Sequence, residues 1–381
     1  MVGVQTIRPT GKYAGPFQTA FRKAFAMAMK VHKSTVEDAK LLSKKLTFLL
    51  VRLIYAPVEG TTDLNKALLK RVGRFLKGEW EGLLEEYTEA AGRARGVTGQ
   101  PTLQSQRARA MRLMEAGLVA QSLNLLGESK ICDVRREGVL GQLKSQVVFE
   151  EDSGAEARLP ELPADLYSNP RYFCDSVSVE VDEGRGRVED NPAAAEAEKG
   201  DYVVVALRQM PRLGAQDWSG WRYDHIAALT KDQARWIVDM ILNEEPEPEV
   251  RWLLTTAKVL PFEKEDGKAR ACIVGSMLRM FAARVVRLAL GKELQAEYES
   301  FNQFGLGTAA GIDTAFHSVV EHHRAAVVAF LANTESEDGD QPVLVKYDFK
   351  SAFPSIFRDV AFRFAMARFP RLCRYLARGT V

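Results

Sequence analysis

Between residue 17 and about residue 147 apolar side chains return every three or four positions. Phe21, Phe25 and Met29 form one such row, and Leu42, Leu46, Leu49, Leu50 and Leu53 form another. That period puts the residues on one face of a helix, so the segment reads as a succession of helices. From Arg107 to Leu126 the apolar side carries Met111, Met114, Leu118 and Leu125, with Arg107, Arg109 and Arg112 towards the other. Turn residues between Arg95 and Pro101 separate these helices. From Glu150 to about Asp201 the period fails. Pro160, Pro163, Pro170 and Pro192 stand among acidic and small residues there, with one short candidate strand at Ser176 to Val181. Such a stretch predicts a linker or a loosely packed excursion. Helix resumes at Tyr202 to Met210, and another is expected after Thr230. There Thr230 and Gln233 make a capping-box pair, and Trp236, Ile237, Met240 and Ile241 supply a buried face.

The period then changes to two. Thr255 to Glu263 and Ala269 to Val274 read as strands joined by a polar turn with Asp266-Gly267 at its tip. An amphipathic helix is expected from Ser276 to about Ala296. A glycine-rich turn from Gly305 to Gly311 precedes another helix, Ile312 to about Leu331. After a polar loop over 333–341, Val343 to Phe349 alternates as a strand, and Pro354 sits early in a final helix reaching Phe369. No internal repeat is visible.

Composition narrows the class. The chain has 381 residues, 46% apolar and 27% charged, as an ordinary globular protein does. No run approaches the roughly 18 to 20 uninterrupted apolar residues of a spanning helix. The best candidate, Leu46 to Tyr55, is short and interrupted by Arg52. The first 36 residues hold six Lys or Arg and no acid, but no apolar core with a small-residue cleavage site follows, which argues against a secretory signal. A transit peptide fits poorly too, because serine is not enriched. Cys132, Cys174, Cys272 and Cys373 are far apart and show no CxxC spacing. That argues against a zinc knuckle and a disulfide framework, and for a reducing compartment.

The net charge of +2 hides blocks. Residues 1–150 hold 24 basic and 14 acidic side chains, residues 151–250 hold 10 and 22, and the remainder 18 and 14. A basic surface for nucleic acid beside an acidic connector would produce this pattern, and so would scattered solvated charge.

In the strand Val343 to Phe349 the apolar Val343, Val345, Tyr347 and Phe349 face one way, with Lys346 and Asp348 on the other. A strand-end aspartate needs a cation or hydrogen-bond donors, and Mg²⁺, which prefers carboxylate oxygens, is one solution. Capping of the next turn is the other. The hairpin carries Lys264, Lys268 and Arg270, cations suited to triphosphate oxygens, although an ordinary surface hairpin looks the same.

Four segments in order resemble the reverse transcriptases of non-LTR (LINE-type) retrotransposons. Asp217-Trp218-Ser219-Gly220-Trp221-Arg222-Tyr223-Asp224-His225 is similar to the segment ahead of that family's fingers. Lys258-Val259-Leu260-Pro261 through Arg270-Ala271-Cys272-Ile273 resembles the fingers hairpin. Gln303-Phe304-Gly305, with Gly307 and Gly311, resembles the glycine-rich turn before a long helix. Tyr347-Asp348-Phe349-Lys350-Ser351-Ala352-Phe353-Pro354 looks like polymerase motif A. The likeness covers roughly residues 205–360, and residues 116–147 resemble the family's upstream extension more weakly.

The resemblance implies a helix-rich α+β fold: a partial right-hand polymerase, with fingers and the start of a palm behind a helical N-terminal region. The expected division is a helical extension over 1–149, an acidic Pro-rich linker over 150–201, and fingers with an incomplete palm over 202–381. It implies RNA-directed DNA synthesis by two-metal nucleotidyl transfer, with RNA template, DNA primer and dNTP as partners and Mg²⁺ as cofactor. Asp348 would be catalytic and hold the metals together with the Phe349 carbonyl. Arg270, with Lys268 or Lys264, would meet the triphosphate, and Phe353 would crowd a ribose 2′-hydroxyl. Gln303 and Gly305 would shape the template side. Trp221 reads as a packing residue ahead of a template contact, which stays open beside it, while Arg222 and His225 take no assigned role. The family's location is nuclear or cytoplasmic, with no membrane partner.

Two departures stand out. The family's Arg-Pro-Ile is Arg270-Ala271-Cys272 followed by Ile273, and no Asp-Asp pair or Tyr-x-Asp-Asp occurs in these residues. The expectation is therefore a truncated, inactive fragment of the polymerase. A split enzyme with its C-terminal half on another chain and a non-catalytic nucleic-acid-binding protein remain open beside it. Phe357, Phe362, Phe364 and Phe369, lacking a sheet, are expected to be partly exposed.

Overall fold

The computed structural model describes residues 14–36, 38–56, 63–94, 110–111, 114, 138–147, 161–174, 201–210, 216–263, 267–301, 303, 311–332 and 358–377. The chain forms two compact units, Met1–Val285 with Phe357–Val381, and Val286–Ile356.

The first unit is built on α1 (Ala14–His32), α2 (Ala39–Tyr55), α3 (Leu64–Leu76) and α4 (Trp80–Ala94). Phe17, Phe21 and Phe25 recur every fourth residue of α1, so all three point inward, where α1 packs on α2 and α3. Further on come α5 (Val139–Val147), α6 (Tyr202–Arg208), the short α7 (Tyr223–Ala227), α8 (Lys231–Leu242) and α9 (Pro248–Thr255). The capping box of α8 is present. Thr230 Oγ1 accepts from the Gln233 N–H at 3.3 Å, and Gln233 Oε1 accepts from the Thr230 N–H at 3.1 Å. Strands β1 (Lys258–Glu263) and β2 (Ala269–Val274) form an antiparallel pair, and α10 (Met277–Ala289) follows. The described residues are thus helix-rich with one small two-stranded sheet, an α+β composition.

The basic residues inside apolar runs find aromatic, carbonyl or acidic partners. The Arg52 guanidinium lies 5.1 Å from the Tyr87 ring centre and 5.3 Å from that of Trp218, and donates to the Trp218 carbonyl. Lys44, almost fully buried, reaches Glu244 at 2.8 Å and Glu247 at 3.0 Å.

Two expectations are corrected here. The helix foreseen from Ser276 to about Ala296 is two helices, α10 and α11 (Gly291–Ser300), parted at Leu290 ahead of the weak helix former Gly291. Phe362 and Phe369 are not exposed but buried. Phe362 lies on α13 (Arg358–Arg368), and α14 (Cys373–Ala377) follows. It shares a core with Ala365, Cys373, Ala377, Leu166 and Tyr172, so residues 161–174 supply apolar cover for it. Arg374 locks this packing, donating to the carbonyls of Leu166 (2.8 Å), Tyr167 (2.9 Å), Asn169 (3.1 Å) and Asn243 (3.3 Å). Phe364 is exposed as foreseen, and Phe357 lies outside the described residues.

The second unit contains α11 and α12 (Gly311–Ala332), the latter matching the helix expected from Ile312. Phe316, Val328 and Leu331 on α12 are exposed. Among the described residues no helix is long and apolar enough to cross a membrane.

Candidate nucleotide and nucleic-acid site

The hairpin pairs Lys258 with Val274, Leu260 with Cys272, and Phe262 with Arg270 on one face. Val259 with Ile273, Pro261 with Ala271, and Glu263 with Ala269 share the other. Gly267 closes the turn at φ +74°, a conformation that favours glycine. The second face is held from below by α5, where Val139 and Leu143 pack on Ala269 and Ala271. Gln142 Oε1 also accepts the Ala269 N–H at 2.9 Å. Arg270 therefore stands on the face turned away from α5, exposed, with the exposed Lys268 two residues before it.

At the foot of the hairpin a tight loop is organised by one buried carboxylate. Asp217 Oδ1 accepts from the Ser219 N–H (2.8 Å), the Ser219 hydroxyl (2.7 Å) and the Trp221 N–H (3.0 Å). Its Oδ2 accepts the Met277 N–H at 2.7 Å, at the start of α10, where helical N–H groups lack internal partners. The loop closes with the Asp217 N–H donating to the Trp221 carbonyl (2.9 Å) and Gly220 at φ +90°. Burial pushes the Asp217 carboxyl above its ordinary range, and the four donors pull it back.

Trp221 is fully buried and packs edge-on against Phe21, Phe25 and His225, its Nε1–H donating to the Thr47 carbonyl at 3.1 Å. The packing role read for it holds. His225 Nδ1 accepts the Arg222 N–H at 3.1 Å and its ring packs on Tyr55, so it is a capping and packing residue of α7. Arg22 Nε and Gln18 Nε2 donate to the Ala228 carbonyl at 2.7 and 3.3 Å, tying the segment to α1.

Lys258 went unremarked as a site residue. It is half-buried at the hairpin base; burial lowers its ammonium below the usual lysine range, the Arg222 charge lowers it further, and Asp217 opposes both. Its only signal in the sequence was a lysine at the first position of a strand, followed by four apolar residues.

Of the remaining site residues, Gln303 alone is among the described ones. Gln303 is exposed in the second unit, its N–H donating to the Tyr298 carbonyl at 2.9 Å. Lys264, Gly305, Asp348, Phe349 and Phe353 lie outside the described residues. Among the described residues no group of His, Cys, Asp and Glu side chains could hold a metal ion. Comparison with protein-family models, with curated proteins and with solved structures gave no match.

Proposed function

We propose that this chain supplies the fingers and first palm motif of an RNA-directed DNA polymerase of the non-LTR retrotransposon type. The observation that carries the reading is the hairpin. It stands between the Asp217 loop and motif A in the family's order, with Arg270 presented on its free face. A guanidinium there can make two parallel hydrogen bonds to phosphate oxygens, and Lys268 beside it adds a point charge. The Asp217 carboxylate joins the segment before the hairpin to the helix after it, which fixes the hairpin's base. Asp348 and Phe349 would hold Mg²⁺, which lends electrostatic stabilisation to phosphoryl transfer. Phe353 would select deoxyribose, with Gln303 and Gly305 on the template side. Two-metal transfer needs carboxylates from more than one strand. These residues contain no Tyr-x-Asp-Asp, so alone they are not expected to polymerise.

Photolabelling with an azido-dATP and Mg²⁺ tests the hairpin's part. Arg270→Ala is expected to reduce labelling about tenfold or more, through loss of one charge-assisted pair. Its melting temperature should be unchanged, because the side chain is exposed. Equal labelling of wild type and variant overturns the assignment.

A further inference from the structure

We infer that the outward face of α3 binds the phosphodiester backbone of a nucleic-acid strand through Lys66, Lys70 and Lys77, arranged around Gly73. All three lysines are exposed. Their spacings of four and seven residues put them in one row, opposite the buried Leu68, Val72 and Phe75. The row spans about 16 Å of helix axis. A strand carrying one phosphate per about 3.4 Å of rise crosses that length in about five phosphates.

Among the described residues none of the three lysines forms an ion pair. Glu86 is taken by Arg71 (2.8 Å) and Arg74, and Glu79 by Arg74 (2.9 Å). Asp63, at the start of α3, accepts the Lys66 backbone N–H at 3.0 Å. The adjoining α4 exposes Glu81, Glu85 and Glu89, so the positive surface does not continue onto α4.

Gly73 supplies the second, independent observation. It sits inside a helix, where glycine is a poor former, and a Cβ built on it would meet no atom within 4 Å. Packing therefore does not require it. It lines, with Lys70, Arg74, Lys77 and Glu79, a shallow cavity of about 490 Å³. Close approach of a ligand to the helix backbone is a use that glycine alone permits. A lipid surface fits less well, since the apolar Leu69 and Leu76 flank the row instead of standing within it.

The surface does not depend on the polymerase reading, and its failure would leave the hairpin assignment standing. The test is fluorescence anisotropy of the 381-residue chain with single-stranded RNA and DNA of one mixed sequence, across a salt series. Replacing all three lysines (Lys66→Gln, Lys70→Gln, Lys77→Gln) is expected to weaken binding about tenfold or more at physiological salt. The slope of log K against log salt should fall by about 2, three single-strand phosphate contacts having gone. Gly73→Leu is expected to raise the melting temperature by about 1 °C while weakening binding several-fold, a pairing that misfolding cannot produce. RNA and DNA should lose affinity alike. Unchanged binding in either variant, or a loss confined to one nucleic acid, overturns the inference. So does a triple variant that loses binding to phosphatidylserine vesicles and keeps its RNA affinity.

Discussion

Replacing Asp217 by alanine removes the acceptor of four hydrogen bonds at once. The Ser219 N–H and hydroxyl, the Trp221 N–H and the Met277 N–H all converge on this carboxylate at 2.7–3.0 Å. A buried donor left without an acceptor costs about 1–3 kcal/mol. Four such costs are not additive, since the loop can relax and admit water, so the expected loss is about 3–5 kcal/mol. Asp217→Asn keeps one oxygen for the three Oδ1 donors but turns an NH₂ towards the Met277 N–H, and should lose about 1–3 kcal/mol. Urea unfolding followed by tryptophan fluorescence reports both, because Trp221 sits in the loop. The pH dependence has a defined sign. Burial raises the folded carboxyl above its unfolded value, so its stability contribution is present below the unfolded value and is lost as pH rises through the folded one. The Asn variant lacks that dependence, and its deficit should shrink as pH rises. An Asp217→Ala chain within about 0.5 kcal/mol of wild type would refute the idea that this carboxylate organises the hairpin's base.

Three further outcomes are expected. Arg374→Ala strands four carbonyls and should cost about 2–4 kcal/mol, measured by urea unfolding, with faster proteolytic release of the C-terminal helices. Asp201 caps α6 and meets Lys231 and Arg235, both at 2.7 Å. Although burial raises its carboxyl, those partners and the α6 N–H groups leave it below the ordinary range. Its contribution is therefore present above the unfolded value and lost as pH falls through the folded one, so Asp201→Asn should flatten the acid limb of a stability–pH curve below about pH 4. Among the cysteines of the described residues, exposed Cys272 should alkylate in the native state. Cys174 and Cys373 should wait for unfolding, the buried Cys373 thiol being pushed up to about 11. Peptide mapping by mass spectrometry separates the two classes.

The hairpin was legible because period two on either side of an Asp-Gly turn is a local signal, and so was the capping box at Thr230 and Gln233. Packing of distant segments left no such trace. Nothing in the period of Phe21 and Phe25 says that their partner is Trp221, some 200 residues on. Leu166 and Tyr172 read as isolated apolar residues in an acidic, proline-rich stretch, yet they complete a core with Phe362 and Cys373. That is why Phe362 and Phe369 were wrongly expected at the surface. At the candidate site, Arg270 and Lys268 follow from charge on a hairpin. The Asp217 loop does not, since a carboxylate that binds backbone N–H groups has no periodic signature. An Asp-x-Ser-Gly sequence, a pattern prone to side-chain-to-backbone turns, was its one local hint.

The polymerase reading is tested most directly by sequencing the transcript through and past the Val381 codon, then assaying the encoded protein for primer extension on an RNA template. A frame that runs on into Tyr-x-Asp-Asp is predicted, with extension that Asp348→Asn abolishes. A frame without that motif and with no complementing palm encoded beside it, or extension that survives Asp348→Asn, would contradict the reading.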